Sequence, residues 1–202
     1  MIDRSDGQDE VAGIAVRIIK EGDRIADIVK NLLAFARDWK EEQGPALIQD
    51  ILADSLGLVE KQILKDGIRF KTYISPDLPE IKARSQHIQQ VFLNILSNAR
   101  HALNQRFPGF HENKVLEIRS EVVEIEGRRY IRTTFYDRGV GIPGNIRDRI
   151  CDPFFSSKPR GEGTGLGLSI SHGITKDHSG RLWFDSVEGE YTKVMVDLPT
   201  VE

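Results

Sequence analysis

Glycine is concentrated in one stretch of this chain, from Asp137 to Leu168. A first cluster holds Gly139 and Gly141 behind Asp137, and a second holds Gly161, Gly163, Gly165 and Gly167. Backbone so rich in glycine loses much entropy on folding and packs few side chains. What it offers is close approach to a ligand, with N–H groups free to point at anionic oxygens. Lys158 and Arg160 lie just before the second cluster, and LGLSISHGI after it has helical apolar spacing. The glycines therefore lead into a helix N-terminus, where free N–H groups and the helix dipole favour phosphate. A mobile surface loop would account for one cluster. Two clusters, the first opened by an acid, point to a nucleotide-phosphate loop.

The second informative segment runs from Ser85 to about Phe107. Ile88, Phe92, Ile95, Leu96, Ala99 and Leu103 fall on one helical face, and Gln90, Asn94, Asn98 and His101 fall on the other. Asparagine is a mediocre helix former, so two of them one turn apart need a reason. Carboxamide oxygens can hold a hard cation, and carboxamide NH2 groups can donate to phosphate or base. A solvated polar face is the plain alternative, although such faces usually carry Lys and Glu. His101 reads as a neutral hydrogen-bonding residue, since no other histidine stands at a metal-ligand spacing from it.

The remaining pattern predicts the architecture. From Ile14 to Trp39, Ile18, Ile25, Leu32 and Trp39 recur every seven residues. That is a helix for a bundle or coiled coil, or an ordinary amphipathic helix on its own domain. Gln43, Gly44 and Pro45 break it. Leu47 to Leu64 is again helical, and Ile68 to Ile74 alternates as a strand closed by Pro76 and Pro79. Val115 to Ile125 and Arg129 to Tyr136 form a hairpin around Glu126-Gly127. The helix after the glycines stops near Ser179-Gly180. Arg181 to Ser186 and Lys193 to Leu198 make a second hairpin. The expected fold is α+β, a two-layer sandwich with helices on one face of a mixed or antiparallel sheet.

Composition narrows the function classes. A net charge of −3 gives no basic field for nucleic acid. The single cysteine, Cys151, excludes an internal disulfide and suits a reducing compartment. No apolar run is long enough to span a bilayer, and the polar N-terminus is no signal peptide. A cytoplasmic setting is expected, within a parent protein that could itself be membrane-anchored.

At this point the residues resemble a family. QQVFLNILSNARHAL is similar to the N box of sensor histidine kinases, YDRGVGIP to their first glycine box, DPFFSSKP to their F box and GEGTGLGLSISHGI to their second glycine box. KEGDRIADIVKNLLAFAR resembles the second helix of their dimerisation and histidine phosphotransfer domain. The wording looks most like the nitrogen-regulation branch. The resemblance implies the Bergerat ATP-binding sandwich, shared with gyrase, MutL-type and chaperone ATPases, over residues 43–202. Residues 1–42 would be the partial phosphotransfer domain.

It also implies roles. Asp137 would accept from the adenine amino group, and Gly139, Gly141 and Ile142 would pass close to the base. Asn94 would hold Mg2+, and Asn98 would reach the phosphates or the base edge, with His101 in the same ATP-binding set. Residues from about Pro143 to Gly163 would form a lid anchored by Phe154 and Phe155, with Lys158 and Arg160 near the phosphates. Gly163, Thr164, Gly165, Leu166, Gly167 and Leu168 would wrap the phosphates. Thr192 would lie near the adenine, although Tyr191 stands where relatives often carry glycine. The implied partners are ATP with Mg2+, the phosphotransfer helix of the parent kinase, a response-regulator receiver domain and a second copy through the N-terminal helix, with no nucleic acid.

One expected residue is missing. The acceptor of the family is a histidine followed by an acid and then a proline, on a helix before the one at Ile14. None of His87, His101, His111, His172 or His178 has that setting. The reading is the catalytic part of a kinase, with the acceptor outside this chain. The alternative is a non-catalytic, ATP-dependent interaction module. A gyrase-type ATPase clamp is disfavoured because no glutamate is placed before Asn94 to activate water.

Overall fold

The computed structural model describes residues 42–159 and 163–201, together with Ile14, Ile18, Ile19 and Gly22. Those four are helical. The rest of the expected Ile14–Trp39 helix lies outside the described residues. In chain order the elements are β1 (Gly44–Ala46), α1 (Ile48–Lys65), β2 (Arg69–Ile74), β3 (Ile81–Ala83), α2 (Ser85–Arg106), β4 (Val115–Ile125) and β5 (Arg128–Asp137). A 3-10 turn (Gly144–Arg149) follows, then α3 (Gly167–Asp177), β6 (Arg181–Val187) and β7 (Tyr191–Pro199).

Five strands form one mixed sheet in the order β2-β4-β5-β7-β6. Only the β2–β4 pair is parallel. β1 and β3 make a separate antiparallel pair. Helices α1, α2 and α3 cover one face of the sheet, because the period-2 pattern of the strands aims most of their aliphatic side chains at that face. The register stacks them in rows. Ile118, Phe135, Val194 and Phe184 face each other across four strands, and Thr133, Val196 and Leu182 continue the next row. Against these rows α2 buries Ile88, Val91, Phe92, Ile95, Leu96, Ala99 and Leu103. The Phe92 and Phe135 rings meet at 5.2 Å between centroids. Truncating a ring so placed costs about 3–5 kcal/mol.

Polar contacts lock the helices at both ends. At the end of α1, the Asp66 carboxylate accepts from Arg100 Nε at 2.6 Å and from Asn104 Nδ2 at 2.5 Å. Lys114 is 1% exposed, and its ammonium donates to the carbonyls of Asp66 and Gly109 at 2.7 and 3.0 Å. At the other end, the Arg84 amide that opens α2 donates to Nε2 of buried His178 at 3.1 Å. His178 Nδ1 lies 2.7 Å from the Ile174 carbonyl, which can only accept. Nδ1 therefore carries the proton and the ring is neutral. The outer face of the sheet has its own lock: Asp197, 1% exposed, takes both ends of the Arg132 guanidinium at 2.7 and 2.8 Å and the Trp183 indole N–H at 3.1 Å.

The expected sandwich is present, with element ends within a residue or two of their sequence bounds. β1, β3 and the 3-10 turn were not expected. Three-residue strands carry too little alternation to register as a pattern.

Candidate functional site

The end of the sheet nearest the glycine stretch opens into a cleft of about 1140 Å³ between α2, the start of α3 and the segment after β5. Its floor is set by register. Asp137 ends β5, directly opposite Thr192 on β7, and Thr192 is directly opposite Ser186 on β6. All three are buried on the helix-covered side. Asp137 Oδ1 accepts the Gly139 N–H at 2.8 Å. Burial pushes the carboxyl up to about 7, against the opposing pull of that N–H. A buried carboxyl raised in this way and facing a cavity marks a candidate binding site. Tyr191, the departure that placed Thr192 in question, turns the other way. Its ring sits by Tyr136 and its hydroxyl bonds Asp185, so Thr192 still lines the cleft.

Two of the cleft glycines are required both by a left-handed backbone and by close approach. Gly141 has φ of 70°, and a Cβ there would sit 2.1 Å from the Val187 carbonyl oxygen. Gly165 has φ of 69°, and its Cβ would meet the Phe154 carbonyl carbon at 2.4 Å. The first joins the loop after β5 to the β6–β7 turn, and the second seats the lid on the loop before α3. Gly139 lies against Ala102 of α2 and, like Leu166, is not a cleft-lining residue. Leu166 is buried and its backbone accepts the Ile170 amide.

On α2, Asn94, Asn98 and His101 all line the cleft. The orientation of Asn94 is decided by its partners. Ser171 Oγ donates to the Gly167 carbonyl at 2.8 Å, so that carbonyl and that hydroxyl both need a donor from Asn94. Nδ2 supplies it, at 3.0 and 3.1 Å. Oδ1 is left without a donor among the described residues. One neutral carboxamide oxygen fits a Mg2+ ion, which keeps several waters and otherwise rides on substrate phosphates. Among the described residues no group of three or more His, Cys, Asp or Glu side chains could hold a metal by itself. Asn98 Oδ1 accepts from Lys158 Nζ at 3.0 Å, tying the lid to α2. The first amides of α3 have no partner within the helix, and no side chain caps them. Gly163, Thr164, Gly167 and Leu168 line this end of the cleft. Arg160 lies outside the described residues.

The lid is held differently from expectation. Phe155 is half-buried beneath the Arg149 guanidinium, 4.7 Å from its ring. Phe154 is 71% exposed with φ of 65°, so its ring anchors nothing within the described residues. Other residues of the site had gone unnoticed. Arg106 Nη1 donates to the carbonyls of Arg138, Gly139 and Glu190 at 3.0, 3.2 and 2.6 Å. Ser186 Oγ accepts the Ile142 N–H at 2.9 Å. Ile146 and Ile150 add apolar walls.

Known proteins match this arrangement. Residues 83–202 match the family described as histidine kinase-, DNA gyrase B- and HSP90-like ATPase. Sensor kinase CckA of Brucella abortus is 32% identical over 198 residues, covering 91% of this chain and 20% of that protein. Sensory histidine kinase/phosphatase NtrB of Escherichia coli O157:H7 is 32% identical over 195 residues, covering 90% of this chain and 50% of that protein. These curated relatives are therefore two to five times as long as the part this chain spans. The nucleotide-free catalytic domain of histidine kinase ThkA is 26% identical with a TM-score of 0.66, over 79% of this chain and 97% of that one. The chain belongs to the histidine kinase-, DNA gyrase B- and HSP90-like ATPase family, and within it carries an ATP-binding catalytic domain of the sensor histidine kinase type.

Proposed function

We propose that this domain holds Mg·ATP in the cleft and presents the γ-phosphoryl group to a histidine of a phosphotransfer helix in its parent protein. The observation that carries the reading is Asp137, buried at the cleft floor with one oxygen spent on Gly139 N–H and the other left for a donor. The adenine amino group is such a donor. Guanine presents a carbonyl at that position and leaves the carboxylate without a partner, which is a strong basis for rejection. Gly141 and Ile142 flank the base. At the far end, the α3 amides, Lys158 and Asn98 receive the phosphates, with Gly163, Thr164, Gly165 and Leu168 around them, and the family resemblance adds Arg160 to this set. Asn94 Oδ1 would hold Mg2+, which supplies charge neutralisation on the phosphates.

In the transfer the acceptor imidazole nitrogen forms the new N–P bond as the bond from γ-phosphorus to the bridging oxygen breaks, and ADP leaves. The residues here contribute position and charge rather than a base, because a neutral imidazole needs none. We infer further that the segment at 1–42 is the second helix of the phosphotransfer domain and pairs with a second copy. A receiver domain would then take the phosphoryl group on. Among the described residues no helix is long and apolar enough to cross a membrane. The presence of ATP as substrate and a single free cysteine favour the cytoplasmic side.

Calorimetric titration with ATP tests the reading. Wild type should bind in the micromolar to sub-millimolar range, about 4–8 kcal/mol. Asp137→Asn should weaken binding by more than tenfold, since an amide NH2 then faces the base amino group. Equal affinities would remove Asp137 from the site.

A further inference from the structure

We propose that Ser186, which lies behind the cleft floor, is a specificity-determining positioning residue: it holds the Thr192 hydroxyl as a hydrogen-bond acceptor, so that the floor presents two acceptors to a base amino group. The inference rests on the reading of the cleft as an ATP site.

The argument is a count of protons. A serine hydroxyl has one hydrogen to give and two lone pairs. One lone pair of Ser186 Oγ takes the Ile142 N–H at 2.9 Å. The hydrogen goes to the Tyr191 carbonyl at 2.7 Å, which can only accept. Thr192 Oγ1 stands 3.2 Å from the same oxygen. With the serine proton committed, that contact forms only if Thr192 donates. The reverse choice would leave two acceptors facing each other across 2.7 Å. Thr192 Oγ1 therefore turns only lone pairs to the cleft.

Its neighbour completes the pair. Asp137 is the residue directly opposite Thr192, and both line the cleft. An ionised Asp137 offers an oxygen with no donor among the described residues. An amino group has two hydrogens and satisfies both acceptors, whereas a carbonyl satisfies neither. Ser186 makes this distinction without touching the ligand. Removing its hydroxyl frees the Thr192 proton to swing into the cleft and donate to a carbonyl.

The test compares ATP with inosine triphosphate, which carries a carbonyl in place of the amino group. Affinities are measured by calorimetry on wild type, Ser186→Ala, Thr192→Val and the double variant, with a thermal melt on each. The ATP-over-ITP ratio should fall about three- to tenfold in Ser186→Ala, the worth of one hydrogen bond changing sense. It should not fall further when Ser186→Ala is added to Thr192→Val, because both act through one hydroxyl. If Ser186→Ala does not fold, Ser186→Cys decides, with a smaller loss expected because its sulfur is still a weak acceptor for the Thr192 hydroxyl. An equal weakening for both nucleotides, with the ratio intact, would make Ser186 a loop support only and overturn the inference while leaving the ATP site standing. Wild type that binds neither nucleotide would overturn both.

Discussion

Asp137→Asn should weaken ATP binding and should also gain stability relative to wild type as pH rises. The carboxyl is pushed up to about 7 in the folded protein, mainly by burial, against an ordinary value of 3.8. Between those values folding takes up a proton. The unfolded chain binds fewer protons there, so stability falls as pH rises through the window and levels off above about 7. From pH 5 to the folded value is about two units, and each is worth about 1.4 kcal/mol, giving about 3 kcal/mol in all. Asparagine keeps the acceptor for Gly139 N–H and cannot ionise. Any fixed penalty of its NH2 group is the same at both pH values and cancels. Urea melts of wild type and variant at pH 5 and pH 8 should therefore differ by about 3 kcal/mol more at pH 8. In a thermal melt this is a shift of about 6–12 °C for a domain of this size. Saturating ATP at pH 8 should recover part of the wild-type deficit, since the base amino group pairs with the carboxylate. A stability difference that is the same within about 0.5 kcal/mol at the two pH values would mean that Asp137 ionises normally, and the electrostatic argument for the cleft floor would fail.

Three further outcomes are expected. Asn94→Ala should abolish most of the difference between ATP affinity with and without Mg2+ while leaving ATP-over-ITP selection intact; a wild-type magnesium response refutes the ligand role. Lys114→Met should keep the packing of the stem but leave the Asp66 and Gly109 carbonyls without their buried donor, lowering stability by about 2–4 kcal/mol in urea melts. The 202-residue chain incubated alone with labelled ATP should form no acid-labile phosphohistidine. His178 is buried with both ring nitrogens engaged, His111 is bonded to the Asn113 amide, and His101 lines the nucleotide cleft itself. Labelling would show an acceptor among the five histidines, with His101 and His111 the first to replace.

Most of the site was legible because its residues follow each other closely in sequence. Asp137, Gly139 and Gly141 form one short run, and the second glycine cluster opens straight into α3. The polar stripe on α2 came from helical periodicity, which also placed the core residues beneath it. The reason for a glycine was not always legible. Gly141 lines the cleft as expected, but what excludes a side chain there is the Val187 carbonyl, from a turn far along the chain. Ser186 and Arg106 reach across 44 and 84 residues to their partners, and no local pattern announces such a contact. One signal for Ser186 was present. In β6 the inward positions read Leu182, Phe184, Ser186, and a hydroxyl at an inward position needs a partner. Phe154 shows the limit of composition. Two adjacent aromatics were both assigned to anchoring, but adjacent residues need not share a side, and a left-handed backbone turns Phe154 outward.

The two ends of the cleft are built in different ways, and this bears on how a nucleotide enters. The Asp137 end is backbone held mainly by backbone. Val140 accepts the Gly189 N–H at 2.7 Å, Gly141 lies against Val187, and Ile142 N–H is fixed on Ser186. Arg106 and Arg147 then clamp the same segment to the end of β6 and the β6–β7 turn. Many mutual contacts restrain this frame, and Asp137 and Thr192 line the cleft within it. Preformed polar groups select well because they need not reorganise to discriminate. At the α3 end one backbone approach, Gly165 against Phe154, is joined by contacts of long side chains, Lys158 to Asn98 and Arg149 over Phe155. These groups exchange one partner for another by rotating about single bonds. On the proposed ATP reading, a triphosphate would compete with Asn98 for Lys158. If the cleft is an ATP site, substitutions at the sheet end should change base selection and substitutions at Lys158 should change triphosphate affinity, each with little effect on the other.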